Sequence, residues 1–205
     1  MPVEAEDYLA LLYRLQELGV EPRLSMVARE LGVRPVTAVK GLARLSARGL
    51  VEKSGLRYEL TPLGFERAVR VVRNHRIIER FLADVMLVDS CSVHELAHSL
   101  EHVEGFAELA DDRLGRPSLC PHGNPVPGRA SVEAFPLSRA CSGVYRVARI
   151  GELGGSLRWA CAVGLRLNDR IEVEGFSGRS VVVRYGGARY DLPLSVTSFI
   201  FVRRV

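Results

Sequence analysis

Two apolar periodicities divide this chain, and they limit what it can fold into. Up to about residue 115 apolar side chains recur every three to four positions, the spacing of amphipathic helices. From Gly143 the texture changes to short alternating or β-branched runs separated by Gly175, Gly178, Gly186-Gly187 and Pro193. Helices followed by strands predict a mainly α chain with a separate small β-barrel at its end.

Residues 5–19 predict a first helix with Tyr8, Leu9, Leu11, Leu12, Leu15 and Leu18 as its stripe and Gly19 as its stop. Ser25 is the expected N-cap of a second helix over 26–31, which Gly32 ends. A third opens at Pro35 and runs to about Arg48, with Val36, Val39, Leu42 and Leu45 at helical spacing. Residues 50–53 and 56–60 flank Ser54-Gly55 as a hairpin. A helix-turn-helix followed by a hairpin predicts a winged helix. Residues 65–87 and 92–115 read as two long helices suited to dimerisation, the second with a Ser92/Glu95 capping box. The Pro- and Gly-rich stretch 120–128 predicts an ordered turn, in which His122 reads as structural, and then a linker. Strands are expected at 144–150, 170–174, 180–184, 188–192 and 198–202, with a short helix over 156–163. The expected division is 1–64 (DNA-binding), 65–128 (helical, metal-binding and dimerising), 129–142 (linker) and 143–205 (barrel).

The net charge of +4 permits an anionic partner. Basic side chains also gather where a winged helix would use them. Arg34, Lys40, Arg44, Arg48, Lys53 and Arg57 lie in a stretch whose only acid is Glu52. This predicts double-stranded DNA as the partner. Arg34, Pro35, Thr37, Lys40 and Arg44 on the third helix should meet the operator, and Lys53 and Arg57 on the wing its phosphates. No run approaches the roughly 18 apolar residues of a membrane span, and the acidic start lacks a signal-peptide core, so a cytoplasmic protein is expected. Cys91, Cys120, Cys141 and Cys161 show no paired spacing and read as free thiols.

His94, His98, Glu101 and His102 stand at i, i+4, i+7 and i+8, one face of the helix expected over 92–115. His75 and Glu79 stand at i and i+4. Imidazole and carboxylate together suit first-row divalent ions from Mn(II) to Zn(II). His94-Glu95-x-x-His98 also matches the zinc-peptidase signature with Glu95 as general base, so a zinc hydrolase is one alternative. The extended signature fails, because Glu101 and Glu104 stand where it needs glycine and histidine. A metal-independent winged-helix regulator is the other alternative. Asp7 alone reads as favourable charge at a helix N-terminus.

Together these pieces resemble the diphtheria toxin repressor family of iron- and manganese-dependent regulators. The resemblance rests on Glu6-Asp7-Tyr8-Leu9, the winged helix ending Gly49-Leu50-Val51, His75-Arg76-x-x-Glu79-Arg80-Phe81-Leu82, Glu101-His102-Val103, and Pro121-x-Gly123-Asn124-Pro125-x-Pro127-Gly128. It implies a winged helix, a helical dimerisation domain and an SH3-like (FeoA-like) C-terminal domain. It also implies a regulatory site of Asp7, His98, Glu101 and His102, and an ancillary site of His75, Glu79 and His94, with Glu152 near the place of a further carboxylate. The family's iron branch has methionine in place of Asp7 and cysteine in place of His98; its manganese branch has aspartate and glutamate. The resemblance thus implies a homodimeric repressor activated by Fe(II) or Mn(II), with Zn(II) a further ion in vitro, no small-molecule substrate and no enzymatic activity.

Overall fold

The computed structural model describes residues 3–205; Met1 and Pro2, within the first expected domain, lie outside the described residues. The chain forms two compact units, one ending at His75 and one beginning at Arg76.

The first unit contains α1 (Ala5–Glu17), α2 (Leu24–Glu30), α3 (Pro35–Ala47), the hairpin β1 (Val51–Ser54) and β2 (Arg57–Leu60), and the start of α4 (Pro62–Asp84). The Glu4 and Asp7 side chains cap α1 reciprocally, the Glu4 N–H donating to Asp7 Oδ2 at 2.7 Å. Asp7 therefore has the local role that its position in the first turn predicts. Helix α2 begins before Ser25, with Arg23 at its N-cap and no side-chain cap. The wing explains this correction. Tyr58 N–H donates to Pro22 O at 3.1 Å and Arg23 bridges to Arg57, so the chain is already held when it enters the helix.

The expected inward stripe of α3 is also corrected. Val36 and Val39 are exposed at 53% and 42%, while Ala38, Gly41, Leu42 and Leu45 are buried. A Cβ on Gly41 would lie 2.5 Å from the Tyr8 ring, so small residues bring α3 close to α1 and turn the valines outward. Behind the wing, Thr61 Oγ1 donates to Gly49 O at 2.7 Å and accepts the Gly64 N–H at 3.1 Å. A Cβ on Gly64 would lie 1.8 Å from Leu50 O, against backbone that cannot swing aside. Gly64→Ala is therefore expected to destabilise the first unit by roughly 1–3 kcal/mol, the usual cost of overpacking. A lowered urea midpoint would show it, and an unchanged one would refute it.

The second unit holds the rest of α4, then α5 (Val93–Leu100) and α6 (Phe106–Leu114). The single helix expected over 92–115 is broken in the middle, where Gly105 takes φ +77°. The Ser92/Glu95 capping box does not form. Ser92 has helical backbone angles, and a turn at Asp89 leads into α5, accepting the Ser92 and Val93 N–H groups. Ile78, Leu82, Val93, Ala97 and Ala107 form a core between the helices.

The strands that follow are β3 (Phe135–Pro136), β4 (Gly143–Ile150), β5 (Arg170–Ser177), β6 (Ser180–Tyr185), β7 (Ala188–Pro193) and β8 (Ile200–Arg204). They form one antiparallel sheet in the order β3-β8-β4-β5-β6-β7. Register shifts between Val147 and Arg149, and between Val173 and Gly175, bend the long strands around a core of Val147, Ile171, Val183 and Val202. Helix α7 (Ser156–Val163) closes one end, and the short helix α8 (Leu194–Thr197) delays the last strand to Ile200. The expected linker is not all linker: Phe135 pairs with Val202, and Leu137 and Ala140 enter the core.

A disulfide joins Cys91, just before α5, to Cys161 on α7 with a Cα–Cα distance of 5.6 Å. This overturns the free-thiol expectation for those two residues, while Cys120 and Cys141 are free. The pairing comes from the fold, which brings together residues 70 apart in sequence. Among the described residues no helix is long and apolar enough to cross a membrane.

Candidate metal centre and nucleic-acid face

Glu79 lies near the end of α4 and is fully buried. His94 Nδ1 is 3.0 Å from Glu79 Oε1. Glu79, His94 and Glu152 each present a ligand atom within 4.8 Å of the others. His75 stands one turn before Glu79 on the same helix and is fully buried. Buried carboxylates need a compensating cation. Arg76 supplies one: its Nε is 3.9 Å from Glu152 Oε1, and its Nη1 donates to Pro125 O at 2.5 Å. The donor set of imidazole nitrogen and carboxylate oxygen fits a first-row divalent ion.

Glu79 also faces a second set that the sequence did not reveal. His122 Nδ1 is 3.4 Å from Glu79 Oε1 and 3.9 Å from Cys120 Sγ, and all three residues are buried. His122 Nε2–H donates to Ser90 O at 2.8 Å. Burial pulls the His122 pKa down, but its bonds to Cys120 and Glu79 outweigh this and push it up to about 12. Burial, then the Glu79 charge, raises the Cys120 thiol. Binding a metal ion to this set would displace protons from its thiol and imidazole. The Pro- and Gly-rich turn that made His122 read as structural is what aims it. Asn124 donates to Ile150 O at 3.0 Å and accepts the Arg149 Nε–H at 2.6 Å, fixing the turn on β4. Two donors two residues apart on a rigid turn were the signal to be found.

The third set lies at the end of α5. His98 Nδ1 is 3.0 Å from Glu101 Oε1, and His102 Nε2 is 3.5 Å from the same oxygen. The Glu101 side chain is 2% exposed. The helix ends at Leu100, with Glu101 as C-cap, so the expected continuous ladder is divided. His94 turns to Glu79 and His98 to Glu101. The two histidines of the peptidase-like signature thus serve different carboxylates, and Glu95 is exposed.

In the first unit Arg34, Pro35, Thr37, Lys40 and Arg44 are all exposed with α3, as are Lys53 and Arg57 on the wing. Arg57 is partly engaged, its Nη2 lying 2.5 Å from Glu21 Oε1. That pair reduces what Arg57 can offer a phosphate.

A winged helix with a basic outward face, in one chain with carboxylate–imidazole sets, defines a metal-responsive DNA-binding regulator rather than an enzyme. The profile of the iron dependent repressor N-terminal DNA binding domain matches residues 2–57, and that of the iron dependent repressor metal binding and dimerisation domain matches residues 61–128. The chain is 28% identical to the diphtheria toxin repressor of Corynebacterium efficiens, over 98% of this chain and 95% of that protein. Its structure is similar to that of the manganese regulator SloR, with a TM-score of 0.86, 25% identity and 100% of both chains covered. It is also similar to ScaR with bound Zn2+, at a TM-score of 0.82 and 28% identity over 99% of this chain and 100% of that one. The chain belongs to the diphtheria toxin repressor family of iron-dependent repressors.

Proposed function

We propose that this protein is a transcriptional repressor that binds a double-stranded DNA operator as a cytoplasmic homodimer when loaded with Fe(II) or Mn(II). Zn(II) is a third ion its donors would accept in vitro. Asp7, His98, Glu101 and His102 form the regulatory site. His75, Glu79, His94 and Glu152 form the ancillary one. The working division is 1–64 for DNA binding, 65–128 for metal and dimerisation, and 143–205 for the barrel.

The observation that carries the reading is Glu101, a carboxylate almost wholly buried between two imidazoles. When bound, the ion supplies the positive charge that lets several carboxylates share one place. Glu101 holds His98 and His102 toward one point. Asp7 brings the donor that belongs to the DNA-reading unit. Drawn to the same place, Asp7 restrains α1 and, through the Tyr8–Gly41 contact, α3. Without that restraint the two half-site readers of a dimer are free to mis-space. Val85, Met86, Leu87, Leu96, Val103 and Leu109 are exposed apolar residues on the helical part of the second unit, a composition suited to a dimer face.

The test is DNA binding under anaerobic conditions against a panel of divalent ions. Tight binding should require Mn(II) or Fe(II), and by linkage DNA should tighten metal binding by the same factor. Equal DNA affinity with and without every ion would remove the proposal.

A further inference from the structure

Most of the chain's positive charge is not on the winged helix. Residues 143–205 carry ten arginines and no lysine against five carboxylates, more excess charge than the whole chain's +4. Three of these arginines stand in one row across adjacent strands. Arg146 on β4 pairs directly with Arg170 on β5 and directly with Arg203 on β8. Tyr145 and Val147 on either side of Arg146 are buried, so the row faces outward. Like charges directly opposite each other on a sheet are unfavourable.

Two of the three are also held in place. Asn168, in the left-handed region at φ +68°, accepts Arg146 Nη1–H on its carbonyl and Arg203 Nη2–H on Oδ1, each at 3.0 Å. These bonds orient both guanidinium groups without neutralising either. Among the described residues no carboxylate forms an ion pair with any of the three. Of the nearby acids, Asp169 accepts the Arg166 N–H and the Tyr185 hydroxyl, and Glu172 stands opposite Arg184 on the next strand. Oriented, unneutralised guanidinium groups spread over about 10 Å of sheet are a receptor for a repeating anion, and duplex DNA presents several phosphates over that length.

We propose that the Arg146–Arg170–Arg203 row is a second DNA contact, made to the phosphate backbone of duplex flanking the segment read by α3. It rests on the DNA-binding reading above and adds a partner for the barrel. The contact is to backbone, so it adds affinity and salt dependence without sequence preference.

The probe is a duplex selected from random DNA on the full-length protein with Mn(II), prepared in two lengths. One is trimmed to the protected segment; the other carries one further helical turn at each end. The longer duplex should bind wild type more tightly and with a steeper salt slope. In Arg146→Gln/Arg203→Gln that gain should vanish, with about tenfold weaker binding to the long duplex and a slope lower by about 0.9 for each phosphate no longer neutralised. Arg158→Gln/Arg179→Gln removes the same charge elsewhere on the barrel and should keep the gain. Arg146→Lys/Arg203→Lys, which preserves charge, should keep most of it, and thermal melts establish that each variant is folded. Equal slopes for wild type on both duplexes, or the same loss in the Arg158/Arg179 variant, would overturn the proposal. Failure of the underlying reading looks different, as binding to the trimmed duplex that ignores Mn(II).

Discussion

Glu101→Ala should abolish the difference that Mn(II) or Fe(II) makes to DNA binding. The Glu101 carboxylate accepts from His98 at 3.0 Å and lies 3.5 Å from His102 Nε2, with its side chain 2% exposed. Its removal leaves the proposed site two imidazoles and Asp7 as its one remaining carboxylate, and hard divalent ions bind such a set less tightly. Removing even an outer-shell partner of a metal ligand costs 10–100-fold in affinity, so loss of this carboxylate should cost at least about 100-fold. The checks are ion titration followed by calorimetry and DNA binding followed by anisotropy. Glu79→Ala is the contrast. Glu79 belongs to two donor sets, with His94 and with Cys120 and His122. Its loss should remove ions bound there while the DNA response to metal persists. If Glu101→Ala kept the full metal response and Glu79→Ala lost it, the assignment of the regulatory site would be reversed.

Why some of this was legible in the sequence and some was not follows from the range of the forces involved. The winged helix and most barrel strands follow from hydrophobic period and turn residues, which act within a few positions, although the hairpin turns at Gly55-Leu56, one residue later than Ser54-Gly55, so that Ser54 pairs with Arg57. The rotation of α3 was hidden because it is set by Gly41 against the Tyr8 ring, a contact between distant residues. The break at Gly105 was legible in principle, since glycine in a helical pattern is a warning, but the His/Glu spacing argued for continuity. The spacing alone showed one ladder, whereas the helix ends at Leu100 and His94 and His98 turn to different carboxylates, the division that the family resemblance implies. Cys120 and His122 were missed because only the tie of Asn124 to β4 turns a Pro- and Gly-rich stretch into a rigid ligand arm. The linker that became a strand shows the same thing, since Phe135 and Pro136 acquire a partner only when β8 arrives from the far end of the chain.

The Cys91–Cys161 link carries the second large effect. Cys91→Ser should destabilise the second unit by about 2–4 kcal/mol, because the bond closes a long loop and constrains the unfolded chain accordingly. The separation of 70 residues places it toward the upper end of that range. The same shift should appear in wild type on adding dithiothreitol, after which wild type and variant should unfold at one denaturant midpoint. Cys141→Ser, which alters an exposed free thiol, should leave the midpoint where it was. The effect should reach the donors as well. Ser90, next to Cys91, gives its carbonyl to His122 Nε2–H at 2.8 Å, and His122 faces Glu79 and Cys120. Freeing that loop loosens the orientation of His122, so reduced protein should hold an ion at Glu79, Cys120 and His122 less tightly than oxidised protein. The cytosol keeps most thiols reduced. A regulator working there would therefore carry this bond only when oxidants prevail, and its barrel would be less firmly tied to α5 the rest of the time. A midpoint that ignores both dithiothreitol and Cys91→Ser would show that the link contributes nothing to stability.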